Sequence, residues 1–302
     1  MSRIASLSVC AALALLMILA GCNLMPGSTN DASENVTYPR TSGASAASVH
    51  ASHDFSFVID ENGTLWGFGN NSHGELGDGT DIQRRAPVWI MDDVRLISSS
   101  YGHTLAVTFD GTLYAWGLND FGQIGDGTLE NRSSPVLIME NIEYAAAGWG
   151  HSMALTRNGE LYAWGVNDGG EVGDGTGQNR SLPVYIMDGV NYIATGGFHS
   201  LAIDHEGSLW MWGYNEFGQV GNGNRQNQLS PIRVKFDIAS VSAGFDFTMA
   251  ITTDGYLYAW GNNVNGELGD GSSVNRLNPV RVMEDVVSVS AGGGHTMAMA
   301  AQ

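Results

Sequence analysis

The chain has 302 residues, enough for one sizeable domain or two small ones. It has 31 acidic and 13 basic residues, and the net charge of −18 repels phosphate backbones, which argues against nucleic acid as a partner. Its two cysteines, Cys10 and Cys22, are too few for a disulfide framework or a cysteine-based zinc site.

Residues 1–21 have the composition of a secretory signal peptide. Arg3 gives a basic start, residues 7–19 form an apolar run, and residues 20–21 are small. The alternative is a membrane anchor, but the apolar run is short for a hydrocarbon core of about 30 Å. We expect removal of residues 1–21, which changes the net charge from −18 to −19 because Arg3 is the only charged residue lost.

The last residues of this segment, Leu19-Ala20-Gly21-Cys22, resemble the lipobox of bacterial lipoproteins. That resemblance implies that Cys22 is acylated, becomes the first residue of the mature chain, and anchors it to a membrane of the cell envelope, facing outside the cytoplasm. Residues 22–47 are rich in Ser, Asn, Thr, Gly and Ala and lack a burial pattern. We predict that they form a flexible tether behind the anchor.

The rest of the chain repeats with a period of 48 residues. The segment LYAWGLNDFGQIGDGT at 113–128 recurs in similar form at 161–176, 209–224 and 257–272, and an earlier copy lies at 65–80. A second signature, GHTLAV and its copies, keeps the same interval. It places histidines at His103, His151, His199 and His295, with Phe55 and Phe247 in the two remaining slots. Five full periods and a final half-unit therefore follow the tether.

Each period contains about four short apolar runs separated by turns rich in Gly and Asp. In the second period the runs are 94–99, 104–109, 112–117 and 135–139, which we label strands A to D. The dipeptide Asp110-Gly111 between strands B and C is a strong hairpin signal. Four strands in every 48 residues predict an all-β propeller.

The repeated motifs resemble those of the RCC1 (regulator of chromosome condensation) repeat family. The resemblance rests on A-G-x-x-H-[ST]-x-A-[LVM], then D-G-x-L-Y-A-W-G, then N-x-x-G-x-[LIV]-G-D-G-T, in order and in register. It implies an RCC1-like β-propeller of four-stranded blades over residues 48–302, and the five and a half periods correspond to about five to six blades. Members of the family usually have seven blades, so the ring could close with five, include an incomplete sixth, or remain an open arc.

The recurring polar residues are interpreted as scaffold. Phenylalanine replaces the repeated histidine twice, which acid–base chemistry or metal binding would not tolerate. Asp78, Asp126, Asp174 and Asp270 precede Gly as turn formers do, and they lack the ligand spacing of a calcium loop. The same interval also repeats four arginines, Arg84, Arg132, Arg180 and Arg276. We expect them to bond loop carbonyls or a neighbouring blade's carboxylate. The alternative is that they form a basic patch for an anionic ligand.

No catalytic motif is recognisable. The Gly-rich runs lack a Walker-type lysine, and no G-x-S-x-G elbow occurs. Paired carboxylates could cleave a glycan, but nothing in the sequence singles out a pair. We therefore predict neither an enzyme nor a bound metal or cofactor, and a propeller hydrolase is the third hypothesis.

Positions that differ between repeats are free to serve recognition. The A–B turns and C–D loops are expected to share one face, and the aromatic residues of the A–B turns are Tyr101, Trp149, Phe198 and Phe245. The C–D loops add His73, Phe121, Tyr214 and Phe217. These side chains form a candidate binding surface, although they could instead pack between the loops and cover the core.

We predict that this face binds an extracytoplasmic protein. Binding of a glycan or of cell-wall material by the same aromatic side chains is the alternative. The family resemblance spans guanine-nucleotide exchange and β-lactamase inhibition, so the fold does not determine the activity. Exchange is not expected of an exported chain, which would not meet a cytosolic GTPase.

Overall fold

A computed structural model of the protein describes residues 46–301, and the side chains from Ser48 onward. The described residues form 22 β-strands and no helix. Twenty strands make five four-stranded antiparallel sheets, and the last two form a two-stranded sheet. This arrangement confirms the predicted all-β fold of about five to six blades.

The strands are numbered in chain order and grouped here by sheet. Blade 1 comprises β1 (Ala46–Ala51), β2 (Phe55–Asp60), β3 (Leu65–Gly69) and β4 (Arg84–Met91). Blade 2 comprises β5 (Val94–Ser99), β6 (His103–Thr108), β7 (Leu113–Gly117) and β8 (Arg132–Met139). Blade 3 comprises β9 (Ile142–Ala147), β10 (His151–Thr156), β11 (Leu161–Gly165) and β12 (Arg180–Met187). Blade 4 comprises β13 (Val190–Thr195), β14 (His199–Asp204), β15 (Leu209–Gly213) and β16 (Gln228–Lys235). Blade 5 comprises β17 (Ile238–Ala243), β18 (Phe247–Thr252), β19 (Leu257–Gly261) and β20 (Arg276–Met283). The final sheet comprises β21 (Val286–Ala291) and β22 (Thr296–Ala300).

Within each full blade the strands pair in chain order, A with B, B with C, and C with D. In blade 2, Leu105 of strand B faces Ser98 on one side and Ala115 on the other. Strand C pairs with strand D through shifts of register, one of them between Ala115 and Gly117. The four predicted runs fall on these strands, but strand D begins at Arg132, three residues before the predicted start.

The B–C hairpin of blade 2 shows why these turns recur. Gly111 has a φ of +93°, a conformation that residues with a Cβ rarely adopt. Its amide donates to the carbonyl of Thr108 at 3.0 Å, and the amide of Thr112 donates to Oδ1 of Asp110 at 3.0 Å. The Asp-Gly pair therefore supplies both the backbone conformation and the side-chain acceptor that the turn requires.

The hydrophobic core lies between successive sheets. Strands A of neighbouring blades contact one another, β1 with β5, then β5 with β9, and so on to β21. One core cluster combines Leu105, Leu113 and Ile124 of blade 2 with Ile142 and Trp164 of blade 3, all wholly buried. Because each cluster needs side chains from two sheets, a single blade cannot bury its own apolar surface.

Hydrogen bonds across each interface join the same positions. Trp116 on strand C of blade 2 donates from Nε1 to the carbonyl of Glu75 in the C–D loop of blade 1, at 2.8 Å. The hydroxyl of Thr104 donates to the same carbonyl at 2.9 Å. Equivalent tryptophan bonds of 2.8 to 2.9 Å recur at Trp164, Trp212 and Trp260. The repeated tryptophan therefore forms a hydrogen bond from its own blade to the C–D loop of the preceding blade.

The two-stranded sheet of β21 and β22 follows blade 5. Val286 is buried against blade 5, but Met297 and Met299 on β22 are 67% and 60% exposed. Among the described strands, none pairs the last sheet with the first. The described residues therefore contain five full blades and two strands of a sixth, and no strand pairing joins their first and last sheets.

Candidate functional site

The A–B turns and the C–D loops meet on one face of the propeller, as the strand order predicts. The amide of Leu118, at the start of a C–D loop, donates to the carbonyl of Gly102 in the A–B turn at 2.7 Å. The amide of Tyr214 donates to the carbonyl of Phe198 at 2.9 Å. Each loop is thereby bonded to the turn of its own blade.

Aromatic side chains on this face form a continuous series across neighbouring blades. Tyr101 and Trp149 have ring centroids 5.4 Å apart, and Trp149 and Phe198 have centroids 5.0 Å apart. Phe198 is followed by Phe245 at 5.3 Å. Aromatic rings of the C–D loops adjoin this series: the ring centroid of Phe121 lies 5.9 Å from that of Trp149. We call the surface formed by these rings and by Tyr214, Phe217 and His53 the aromatic face.

The rings pack against one another and remain partly open to solvent. Tyr101 is 45% exposed and Phe245 is 42% exposed, while Trp149, Phe198 and Phe121 are half-buried. By contrast, the repeated tryptophans of strand C are wholly buried. The rings of the aromatic face therefore have surface available for contact, whereas the tryptophans of strand C have none.

A central depression of about 640 Å³ borders the aromatic face. Tyr101, Trp149 and Phe245 contribute to its wall, together with small residues of all six A–B turns, such as Ser52 and Gly293. Small residues leave this space open because they have little or no side chain. The depression and the adjoining rings together make a concave surface lined by aromatic, small and hydroxyl-bearing residues.

The structure differs from the sequence analysis at two members of this set. His73 lies apart from the series, because its Nδ1 is 3.0 Å from Oε1 of Glu75 in its own loop. His53 joins the series, with its ring 5.4 Å from that of Tyr101. His53 lies one period before Tyr101, so the 48-residue interval could have identified it.

Acidic groups accompany the rings of blades 4 and 5. Asp246 is half-buried and follows Phe245; burial, together with Glu216 and Glu267, raises its pKa to about 6. Glu216 accepts a hydrogen bond from the hydroxyl of Tyr214, which together with burial raises the pKa of Tyr214 to about 12. In the described part of the chain, no salt bridge neutralises Asp246, Glu216 or Glu267. Nothing in the sequence singles out Asp246, because only the fold shows its burial.

The repeated histidines are structural. Nε2 of His103 lies 2.8 Å from Oγ of Ser152 in the next blade, and that hydroxyl donates to the carbonyl of Gln123. Nδ1 of His103 is buried and has no hydrogen-bond partner. It is therefore assigned as the unprotonated nitrogen of a neutral imidazole, with the proton on Nε2. Burial lowers the pKa of His103, His151 and His199 to about 3. These side chains bridge neighbouring blades, which agrees with the scaffold role expected of them.

The repeated Asp and Arg side chains close the C–D loops. Oδ2 of Asp126 accepts from Nε of Arg132 at 2.6 Å, and Oδ1 accepts from the hydroxyl of Thr128 at 2.7 Å. Burial by itself would raise the pKa of Asp126, but the hydrogen bonds from Thr128 and Arg132 outweigh it and lower that pKa. The expectation that Arg132 bonds loop carbonyls or a neighbouring blade was wrong, because its partner is the carboxylate of its own loop.

Among the described residues, no group of three or more His, Cys, Asp or Glu side chains is placed to hold a metal ion.

The segment that bears on the lipid anchor, including Cys22, lies outside the described residues. Within residues 46–301, no helix has the length and apolar character needed to cross a membrane.

Comparisons with known proteins agree with this architecture. The family model described as RCC1-like domain matches residues 20–298. The structure of human WBSCR16 superposes with a TM-score of 0.76 at 23% identity, covering 86% of this chain and 73% of that one. Prp20p from Saccharomyces cerevisiae gives a TM-score of 0.73 at 23% identity, with coverages of 85% and 68%. Yeast RCC1 (Prp20) in complex with Kap60 gives 0.76 at 22% identity, with coverages of 85% and 66%.

No curated protein sequence matches the chain. The structural likenesses concern the fold, because their sequence identities are low. The family model covers most of the chain, including every repeat with the paired loops and turns described above. The chain therefore belongs to the family of RCC1-like domains.

Proposed function

We propose that this protein is a membrane-tethered, extracytoplasmic binding module that holds a protein partner on its aromatic face. The observation that supports it most is the unbroken series of partly exposed rings from His53 to Phe245. Tyrosine and tryptophan supply large, rigid contact area at low entropic cost, so they dominate many protein–protein interfaces.

The relatives support a protein as the partner. Prp20p is described together with its binding properties to Gsp1p and histones, and yeast RCC1 has been crystallised with Kap60 bound. RCC1-like propellers commonly act as binding modules, and their relatives are mostly binding or exchange-factor proteins. The net charge of −18 favours a partner with a basic surface and disfavours nucleic acid.

The tether rests on sequence alone. The lipobox-like segment ending at Cys22, followed by a polar stretch up to residue 47, supports a lipid anchor that leaves the propeller accessible outside the cytoplasm. Strand β1 begins at Ala46, so the tether would join the propeller at its first blade.

The test compares three forms of the full-length chain in pull-downs from the extracytoplasmic fraction of the source cells. The double variant Tyr101→Ala with Trp149→Ala removes two adjoining rings of the aromatic face. The control, Tyr144→Ala with Tyr192→Ala, removes another pair of contacting rings, 6.1 Å apart, which borders a different cavity of about 520 Å³.

We expect one protein to be retained by the wild type and by the control, and to be lost from the Tyr101/Trp149 variant. With that protein purified, the variant should bind at least about 30-fold more weakly, since a central aromatic residue contributes about 2 kcal/mol or more. Equal retention by all three forms would refute the proposed face. Retention of glycan or cell-wall material in place of a protein would favour the alternative function.

A further inference from the structure

One part of the aromatic face is an open pocket. It has a volume of about 350 Å³, lies between blades 4 and 5, and is lined by Phe198, Tyr214, Phe217, Phe245 and Asp246. The rings of Phe198 and Phe245 are set at 88° to each other, and those of Tyr214 and Phe217 at 64°. Rings at such angles are not stacked face to face, and all four line the pocket. We call this cavity the acidic aromatic pocket.

The carboxylate in this wall has no cationic partner. Oδ1 of Asp246 accepts from Nε2 of Gln219 at 3.3 Å, a long hydrogen bond from a neutral group. Asp54 occupies the same position four periods earlier, but it is exposed and lies 3.0 Å from Nδ1 of His53. Burial and the acidic neighbours Glu216 and Glu267 raise the pKa of Asp246, and no salt bridge in the described residues includes it. The pocket therefore carries unbalanced negative charge.

The basic residues of the chain that stack on aromatic rings do so elsewhere. Arg233 lies over Trp210 and Phe236, Lys235 over Tyr258, and Arg281 over Tyr256. All three belong to outer strands D, and in the described part of the chain none of them stacks on a ring of the pocket. The pocket is thus free for a cation supplied from outside.

We infer that the acidic aromatic pocket receives a basic side chain, of Lys or Arg, from the protein partner. Ring faces attract a cation electrostatically, and an adjoining carboxylate adds a charge-assisted hydrogen bond. The cavity is large enough for the end of one such side chain, and the strongly acidic composition of the chain favours a basic partner surface. This inference rests on the proposed function only in taking a protein as the source of the cation.

The test uses N-acetyl-arginine amide and N-acetyl-lysine amide as probes, with the uncharged N-acetyl-citrulline amide as the shape-matched control. Binding to the full-length chain is followed by ligand-detected NMR titration. We expect at least one of the charged probes to bind about tenfold more tightly than the citrulline amide. Asp246→Asn should remove most of that preference, because only the attraction of the rings remains, whereas Asp54→Asn, the matched variant in blade 1, should leave it intact. Phe245→Leu, which keeps an apolar wall without a ring, should also weaken binding of the charged probes.

The affinity for the charged probe should also depend on pH. Asp246 loses its charge as pH falls through about 6, so binding should weaken below that pH in the wild type and not in Asp246→Asn. Equal binding of charged and uncharged probes, or full binding to Asp246→Asn, overturns the inference. If the Tyr101/Trp149 variant has nevertheless lost the partner, the proposed function stands and only the cation site is wrong. If the charged probe binds as expected while that variant retains the partner, the cation site stands and the proposed face is wrong.

Discussion

His103 Nε2 lies 2.8 Å from Oγ of Ser152, and both side chains are wholly buried although they belong to different blades. The same bond joins His151 to Ser200 at 3.0 Å and His199 to Thr248 at 2.9 Å. A repeated side chain thus links blade 2 to blade 3, blade 3 to blade 4 and blade 4 to blade 5. Its loss should weaken the propeller at these interfaces rather than within a sheet.

Replacing His103 by alanine should lower the free energy of unfolding by about 2–4 kcal/mol, since it leaves a cavity and removes a buried donor. His103→Phe should cost less, because Phe247 fills the equivalent slot in blade 5 and is 1% exposed. Urea unfolding monitored by circular dichroism measures both. Equal losses for the two variants would contradict a packing role for the ring.

Stability should fall as pH decreases below about 6.5. The folded pKa values of His103, His151 and His199 are lowered to about 3, so the stability they contribute is present above the unfolded pKa and is lost as pH falls from 6.5 toward 3. Each histidine contributes about 1.4 kcal/mol per pH unit in this range. Asp246 and Glu171, whose pKa values are raised, act in the opposite direction and reduce the net slope.

The variant His199→Phe isolates one of these contributions. Its unfolding free energy, measured between pH 6 and pH 4, should decline less steeply than that of the wild type by about 1.4 kcal/mol per pH unit. An unchanged slope would mean that His199 is protonated in the folded protein, contrary to its buried hydrogen bond.

The Asp–Arg pair of the C–D loop should stabilise every repeat that has it. Asp126→Ala removes the acceptor of Arg132 and Thr128 and should cost about 2–3 kcal/mol. The fourth repeat has Asn222 and Gln228 in these positions. The double variant Asn222→Asp with Gln228→Arg should therefore show a favourable coupling of about 1 kcal/mol relative to the two single variants. A double-mutant cycle by urea unfolding measures this coupling. Zero coupling would show that the Asp–Arg pair does not stabilise the loop.

Gly125 lies where the tryptophan of the next blade leaves no room for a side chain. Its φ is +87°, and an added Cβ would lie 2.6 Å from Nε1 of Trp164. Gly269 occupies the same position in blade 5, with a φ of +68° and nothing within 4 Å, because the last sheet has no strand C. Gly125→Ala should therefore lose at least about 1–3 kcal/mol more stability than Gly269→Ala. Thermal unfolding distinguishes them, and equal losses would show that backbone strain alone limits the position.

Acylation of Cys22 should determine where the protein is found. Cys22→Ser removes the thiol that would carry the acyl chains, so the variant should leave the membrane fraction or accumulate unprocessed. Fractionation of cells without detergent, with immunoblotting, measures the distribution. Cys10→Ser is the control, because Cys10 lies within the expected signal peptide. Unchanged association of Cys22→Ser with membranes would exclude this anchor.

Repetition made most of the architecture predictable from the sequence. The 48-residue interval identified the strands, and the strand order placed the A–B turns and C–D loops on one face. Partners across blades were harder to predict, because they depend on the register between sheets. Thus His103 bonds Ser152, Arg132 bonds Asp126 of its own loop, and His73 contacts Glu75 of its own loop. The burial of Asp246 likewise depends on two neighbouring blades, and no local pattern signals it.

The binding role of the aromatic face is tested most directly by cross-linking in intact cells. A photoreactive phenylalanine replaces Tyr101 on the aromatic face or, in the control, Tyr185 on outer strand β12, which is 49% exposed and so similarly accessible. We predict one discrete cross-linked protein from position 101, absent when Trp149 is also replaced by alanine, and none from position 185. Cross-links of equal yield from both positions, or none from position 101, would contradict the account.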